Sequence, residues 1–398
     1  MRGILFILLV VFASVFDIYL STAGYNPSTP AYTIIPLFFV LFVIRFNPRI
    51  YFSYFKTHTF YTFLAFVIIA IMYSVVQGPS TEAITTELVN AVITLLFYAF
   101  TLIIMSKTND SMIRWFLFIS LLVLIGSLLY DMFVGLDVVN EDLRKGGFAG
   151  NPNIAASAMK LLGLGLIYLY RDNKLIRSLL LVFIVLSVFM TFSRSGMLGI
   201  LLMAFFLLIN NWKAHFEINA KTVVQAITKM GLAFAGIYLI LLTVTDYLKQ
   251  EIPEFGMGDA ARRIDMLLGK ASSTTGTRDD QSRYGRKGLL IHYSNQFRKN
   301  PLGYGTGYTA DKLINRKDTH NFYLKMAVNY GIIGLLALLL FFFISVKKAI
   351  QYDNYYYLIF IMTIMAECIA SHGIIQERPT LIALAFFDSK LYRLNEIN

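Results

Sequence analysis

The sequence contains few of the residues that bind metal ions or form disulfides. Cys368 is its single cysteine, so no disulfide can form within the chain. The five histidines are scattered, and no His-x-x-x-His or paired-cysteine spacing occurs. Gly303, Gly305 and Gly307 lack the preceding strand and following helix that a nucleotide-binding loop needs. We therefore expect no metal ion and no cofactor.

Charged residues are also scarce. They make up 15% of the chain against 57% hydrophobic residues, which is too apolar for an ordinary soluble domain. Apolar runs of about 20 residues recur along the whole length, as helices need in order to cross a hydrocarbon core of about 30 Å. The alternating strands of a membrane barrel would not give such continuous runs. The sequence predicts an all-α, polytopic membrane protein.

Twelve apolar runs are predicted to span the membrane. They cover residues 3–20, 31–46, 59–76, 86–105, 112–134, 154–170, 175–191, 194–209, 223–244, 322–344, 355–375 and 378–392. The first run could be a signal peptide, but its length fits a retained anchor better. We expect spanning helices 1–9 in residues 1–244, a large and partly helical loop domain in 245–321, and spanning helices 10–12 in 322–398.

The basic residues indicate how these helices are oriented. The formal net charge is +11, and the Lys and Arg residues lie in short clusters between the apolar runs. Every second loop is basic, whereas the loops 21–30 and 77–87 contain no Lys or Arg. Because short cytoplasmic loops keep Lys and Arg, both termini are predicted to be cytoplasmic. This distribution indicates membrane topology and excludes a nucleic-acid-binding stripe.

The unusual polar sequence falls on the other, outward-facing side. It comprises residues 146–153, 191–196, 371–379 and the long segment 245–319. A structureless loop of 75 residues would be unusual, and apolar residues at helical spacing predict a helix over 289–297. The function is therefore predicted to face the extracytoplasmic side.

One histidine lies at the boundary between this polar segment and a predicted span. His320 and Asn321 immediately precede the apolar run 322–344. Histidine titrates near neutral pH, so His320 could act as a general base. A cap or an interfacial residue is the alternative, and at this point both interpretations stay open.

Three arginines are candidates for binding an anion. Arg194 lies almost without spacer between the seventh and eighth predicted spans, where a charge is costly unless it is paired. It either snorkels to the interface or binds an anionic ligand. Arg283 and Arg286 belong to the long segment, which holds 13 Lys or Arg against 9 Asp or Glu between 246 and 318. A guanidinium can bind phosphate through two hydrogen bonds, although most arginines in charged loops are solvated.

The spacing of His320, Asn321, Gly331 and Gly334 resembles the signature of the O-antigen ligase family. Four further segments occur in the order found in that family: 150–153 (GNPN), 191–196 (TFSRSG), 282–283 (SR) and 300–307 (NPLGYGTG). The resemblance covers roughly residues 145–380, and the first five spans match in hydropathy only.

This resemblance implies a glycosyltransferase of the bacterial inner membrane whose active site and long loop are periplasmic. Its implied donor is a glycan on undecaprenyl diphosphate, and its implied acceptor is lipid A-core. The implied reaction needs no metal ion and inverts the anomeric centre. The residues matched to it are His320 as base, Arg194, Arg283 and Arg286 as diphosphate ligands, and Asn321 and Tyr323 as substrate-positioning residues.

Two other functions stay open. An O-antigen polymerase would use the same donor with a second lipid-linked glycan as acceptor. A transporter or flippase would be expected to show repeated halves and charges within discontinuous spans. The charges to consider for transport are Asp17, Asp131, Lys160, Lys229 and Glu367. Because most spans are free of charge and the halves differ, a transferase is favoured.

Overall fold

The computed structural model describes residues 2–22, 29–47, 51, 54–76, 78–136, 146–251, 285–315 and 317–392. Regular secondary structure in these ranges is helical, and no strand occurs within them. The helices are α1 (Arg2–Ala13), α2 (Phe16–Thr22), α3 (Thr29–Arg45), α4 (His58–Tyr73), α5 (Thr81–Ser106), α6 (Asp110–Phe133), α7 (Pro152–Leu169), α8 (Lys174–Met190), α9 (Arg194–Ile209), α10 (Ala220–Glu251), α11 (Arg286–Lys299), α12 (Phe322–Gln351), α13 (Tyr355–Ala370) and α14 (Arg378–Leu391).

Helices occupy each of the twelve predicted spans. Within the ranges described, α5, α6, α7 and α12 are long and apolar enough to cross a membrane. Shorter apolar helices lie within α1, α3, α4, α9 and α13. The chain is therefore a helical membrane protein, while the count of twelve crossings stays a prediction.

The first predicted span, 3–20, is divided into two helices. Val15 adopts a left-handed conformation with φ 59°, which helical residues do not take. The hydroxyl of Ser14 donates to the carbonyl of Val11 at 3.3 Å. The chain therefore leaves α1 before it enters α2, and a continuous apolar run gave no sign of this break.

Several helices extend beyond their predicted limits, among them α5 and α12. The fourth predicted span began at 86, but α5 begins at Thr81 because the hydroxyl of Ser80 accepts a hydrogen bond from the N–H of Ala83 at 3.3 Å. The tenth predicted span ended at 344, but α12 continues to Gln351. Lys and Arg near helix ends can extend their stems toward water, so a helix need not stop at its first lysine.

The chain forms two compact units, of which the first comprises Met1–Leu41 and Asp110–Thr275. Within this unit α7 packs against α6, α8 and α9 and is buried along most of its length. Glycine permits the close approach, since a Cβ on Gly163 would meet Cγ1 of Ile184 at 2.9 Å. In a membrane, small residues of this kind let helix backbones approach each other.

The second unit comprises Phe42–Asn109 and Gly276–Asn398. Within it α5 packs along α14, and α12 packs on α4 and α13. The helix expected over 289–297 is confirmed as α11, which ends before Asn300. This helix packs on α12 through a cluster that includes Leu289, Tyr293 and Val328. The part of the long segment that is described from residue 285 onward therefore folds as an element of the second unit.

A buried polar network joins four helices of this unit near the start of α4. The Nδ1 atom of His58 lies 2.8 Å from the hydroxyl of Tyr392, and its Nε2 atom lies 2.8 Å from the hydroxyl of Ser345. The hydroxyl of Tyr98 donates to Asp388 at 2.6 Å. Polar groups in an apolar interior need such partners, so these contacts give His58 a structural role.

Asp311 fastens the loop that follows α11 to the start of α5. Its Oδ2 atom accepts a hydrogen bond from the backbone N–H of Ser80 at 2.6 Å, and its Oδ1 atom accepts one from Leu313 at 2.9 Å. These bonds, with the one from Ser80 contributing most, hold the pKa of the Asp311 carboxyl below its usual range. The anion also lies at the positive end of the α5 dipole.

Acidification should remove the stability that this carboxylate contributes. Because its folded pKa lies below the unfolded value of about 3.9, the contribution is present above that pH and is lost as the pH falls through the folded pKa. Asp311→Asn should lower Tm at pH 7. Between about pH 5 and pH 3 the Tm of this variant should then fall less than that of the wild type. Thermal unfolding in detergent measures both effects, with the exposed Asp172→Asn as control. An unchanged acid response in Asp311→Asn would contradict this assignment.

Candidate functional site

Two motifs of the sequence meet in the first unit. Asn151 caps α7, and its side chain accepts a hydrogen bond from the N–H of Asn153 at 2.9 Å. The side-chain oxygen of Asn153 accepts hydrogen bonds from the hydroxyl of Ser193 at 2.6 Å and from that of Ser195 at 3.3 Å. The GNPN and TFSRSG segments therefore form one polar cluster at the starts of α7 and α9.

Arg194 is the first residue of α9, and its side chain is exposed. Ser193 caps this helix by accepting a hydrogen bond from the N–H of Gly196 at 3.0 Å. A Cβ on Gly196 would meet that of Ala156 at 2.6 Å, so glycine is needed where α9 lies against α7. A helix N-terminus carries partial positive charge, which adds to that of the guanidinium. The position suits an anionic group.

The structure describes the surroundings of two of the charges that were considered for transport. Asp131 accepts hydrogen bonds from the N–H groups of Gly146 at 3.1 Å and Gly147 at 3.0 Å, which fixes the segment preceding the GNPN motif. Lys229 is exposed on α10. These hydrogen bonds give Asp131 a structural role within the first unit.

In the second unit, a tight turn carries His320. The carboxylate of Asp318 accepts a hydrogen bond from the N–H of Thr319 at 2.6 Å. The hydroxyl of Thr319 accepts one from the N–H of Asn321 at 3.1 Å, and Asn321 in turn caps α12 by accepting from Leu324 at 3.0 Å. The backbone is thus held on both sides of His320, whose side chain is exposed. Asn321, predicted to position substrate, also has this capping role.

A second imidazole lies next to His320. The ring centroids of His320 and His372 are 5.8 Å apart, and Nε2 of His372 lies 3.7 Å from Oδ2 of Asp318. Burial lowers the pKa of His372, although the Asp318 carboxylate acts in the opposite direction. Burial thus favours the neutral form of His372. In the sequence His372 lies in the outward-facing segment 371–379, more than fifty residues after His320.

A buried ion pair lies beneath this turn. The ammonium of Lys325 lies 3.0 Å from Oε1 and 3.1 Å from Oε2 of Glu87, and the two side chains are 5% and 8% exposed. Gln376 donates to the same carboxylate at 3.4 Å. Sequence reasoning missed this pair. The available signal was that Lys325 is the single charged residue of the predicted span 322–344.

Tyr323 follows Asn321 and was predicted to position substrate. Its hydroxyl donates to the carbonyl of Met365 at 3.1 Å, and its ring lies 6.1 Å from that of Phe342. The hydrogen bond joins α12 to α13, whereas Phe342 belongs to α12 itself. A role in binding substrate stays a prediction for Tyr323.

The long segment contains two arginines that were predicted to bind the diphosphate, and one of them lies in the described part of the chain. Arg286 is the first residue of α11. Arg283 lies outside the described residues. The helix that Arg286 begins is held in place by Tyr293, whose hydroxyl donates to the carbonyl of Lys317 at 2.6 Å. Contact of either arginine with a diphosphate stays a prediction.

Metal binding was not expected from the sequence. Within the ranges described, no group of three or more His, Cys, Asp or Glu is placed to hold a metal ion.

A family model described as O-Antigen ligase matches residues 179–339. The matched segment begins within α8 and ends within α12, and it contains Arg194, Arg283, Arg286 and His320. The GNPN motif and His372 lie outside it. No curated protein matches the chain.

Proposed function

We propose that this chain, of which residues 179–339 match the O-antigen ligase family model, ligates O-antigen polysaccharide onto lipid A-core. The donor is the polysaccharide on undecaprenyl diphosphate, and transfer takes place at the periplasmic face of the bacterial inner membrane. The family match and the apolar helices support a membrane enzyme of ligase or polymerase type. The donor, the acceptor and the residues below belong to the proposal.

The observation that carries this proposal is the turn that holds His320. Its backbone is fixed by Asp318 and Thr319, while its imidazole is exposed at the start of an apolar helix. A neutral imidazole can take the proton of an acceptor hydroxyl as the oxygen attacks C1 of the donor sugar. Attack opposite the leaving group inverts the anomeric centre. His320 is thus the base, and Asn321 and Tyr323 position the sugars.

The diphosphate leaves more easily when its growing negative charge is neutralised. Arginine suits this task because it stays protonated and offers several donors in a fixed plane. Arg194 is exposed at the N-terminus of α9, where the helix dipole adds positive charge. We assign Arg194, Arg283 and Arg286 to the diphosphate, in place of a divalent ion.

Arg194→Ala should weaken donor binding. A charge-assisted hydrogen bond contributes about 1.5–3 kcal/mol, so KM for the lipid-linked donor should rise by about 10- to 100-fold. KM for the acceptor should change little. Steady-state transfer at varied donor concentration measures this, and Arg194→Lys should recover part of the loss because it keeps the charge.

The matched control is Arg171→Ala in the same unit. Its guanidinium lies 4.6 Å from the ring centroid of Tyr168, at a helix end predicted to be cytoplasmic. This variant should bind donor like the wild type. An unchanged donor KM in Arg194→Ala would remove Arg194 from the diphosphate site.

The orientation with cytoplasmic termini is supported by basic side chains that lie over aromatic rings. Besides Arg171 over Tyr168, the ammonium of Lys107 lies 5.2 Å from the ring centroid of Tyr54. Aromatic and basic residues concentrate at the membrane interface, with basic residues favoured on the cytoplasmic side. The polar clusters of His320 and Arg194 belong to the other set of helix ends and would then face the periplasm.

The proposed activity is tested with purified protein, undecaprenyl-diphosphate-linked glycan and rough lipopolysaccharide in a chelator. We expect glycan-capped lipopolysaccharide, seen as a ladder on a gel. Lengthening of the lipid-linked glycan without capping would instead identify a polymerase. Absence of both products, with folded protein, would reject the proposal.

A further inference from the structure

The buried pair of Glu87 and Lys325 is an unusual feature for an apolar helix bundle. Both side chains are almost fully buried, and a cavity of about 30 Å³ beside them has a mainly apolar lining that includes Phe63, Phe66 and Met326. Removing two charges from water costs several kcal/mol per ion before their attraction offsets it. Apolar residues of similar volume often serve stability as well or better. Stability alone therefore does not explain the pair.

The pair holds two segments that carry the histidines. Lys325 lies on the first turns of α12, whose N-cap Asn321 directly follows His320. Gln376 lies in the loop 371–377, four residues after His372, and donates to Glu87 at 3.4 Å. One carboxylate on α5 is thus bonded to both the helix of His320 and the loop of His372.

The loop 371–377 has its own local structure, which transmits this contact to His372. The N–H of Gly373 donates to the hydroxyl of Ser371 at 3.3 Å, and the N–H of Gln376 donates to the carbonyl of Gly373 at 2.8 Å. These bonds connect Gln376 through Gly373 to Ser371, on both sides of the position of His372. Fixing Gln376 therefore also restricts His372.

We propose that Glu87 is a positioning residue of the transfer site. Through its contacts with Lys325 and Gln376, Glu87 holds the loop of His372 against the turn of His320. This inference rests on the proposed role of His320. Glu87 touches no substrate. Its effect is on the rate of the chemical step, because small displacements of reacting groups cost about 100-fold in rate.

The test is the double variant Glu87→Met with Lys325→Met, which removes both charges and keeps long side chains. Its Tm should stay near or above that of the wild type, because no unpaired charge is left. Its kcat should fall by about 10- to 100-fold while KM for the donor stays unchanged. The pH profile of kcat should also change, since His372 would no longer be held beside His320. Wild-type kcat and pH profile in the double variant would overturn the proposal.

A second variant covers the case in which the double variant fails to fold. Gln376→Leu removes the loop contact and leaves the ion pair intact. We expect a lower kcat at unchanged Tm, and wild-type kcat in this variant would equally overturn the proposal. The matched control is Glu82→Met, which removes the same charge from an exposed position of α5 and should leave kcat unchanged.

The outcome is separable from that of the proposed function. His320→Ala is assayed in parallel with the same donor and acceptor. An active His320→Ala would reject the role of His320 itself. An inactive His320→Ala together with a fully active double variant would reject the positioning role of Glu87 and leave the proposed base in place.

Discussion

His320→Ala is expected to lower the rate of glycan transfer by about 100- to 10,000-fold. The acceptor hydroxyl has a pKa far above neutrality, so its attack needs a base as the bond forms. Removal of the imidazole leaves water in that role. KM for the donor should change little, because the base acts on the acceptor. Since the side chain is exposed, the substitution should leave folding intact, and Tm should match the wild type.

Added imidazole gives this prediction a sharper readout. If the missing group is a base, free imidazole should restore part of the activity of His320→Ala in a concentration-dependent way. Restoration should be stronger at a pH where imidazole is neutral. His292→Ala is the control, since His292 lies on α11 with its ring 5.0 Å from that of Tyr293. Transfer by His320→Ala at the wild-type rate would remove His320 from catalysis.

The positions of the helices were accessible from sequence because the membrane leaves few alternatives. Backbone groups in hydrocarbon must be bonded within the segment, so a long apolar run becomes a helix. The meeting of Asn153 with Ser193 and Ser195 also follows in part from sequence. Both motifs begin helices on the same predicted side, and short connections place successive helices side by side.

Other features depend on tertiary contacts that no local pattern reveals. Glu87 and Lys325 are separated by more than two hundred residues, and each lies in the first part of its own helix. Their pairing could have been suspected from the cost of a buried charge. The partner could not have been chosen, because orientation about the helix axis decides which charges face each other. The proximity of His372 to His320 has the same origin.

The backbone conformation of Gly331 was also not predictable from the sequence, although the spacing of this residue from His320 was visible there. Within α12, Gly331 has φ 62° and ψ −156°, which interrupts the helix. The N–H of Ile332 donates to the carbonyl of Pro301 at 2.9 Å, and the carbonyl of Val328 accepts from Tyr304 at 2.9 Å. At the interruption, backbone groups of α12 thus form hydrogen bonds with the loop that follows α11 in place of bonds within the helix. These bonds fix the loop on the helix that begins beside His320.

Gly331→Ala should destabilise the protein by about 3 kcal/mol or more. The observed φ and ψ are almost restricted to glycine, and an added Cβ would meet the carbonyl oxygens of Pro301 and Leu302 at 2.5 Å. These are backbone atoms, which cannot move aside without breaking the hydrogen bonds between the loop and α12. We expect a lower yield of folded protein, a lower Tm in detergent and loss of transfer in the fraction that folds.

Gly126→Ala is the matched control for this substitution. It lies in α6, where an added Cβ meets no atom within 4 Å. Alanine is favoured over glycine inside a helix by about 1 kcal/mol, so this variant should be as stable as the wild type or more stable. Equal Tm values for the two variants would show that the interruption at Gly331 is not required. A low Tm for Gly331→Ala alone would show that the interruption at Gly331 is required. The loop that follows α11 can bond to α12 only at this interruption, so backbone geometry would then set the number of residues between His320 and Gly331.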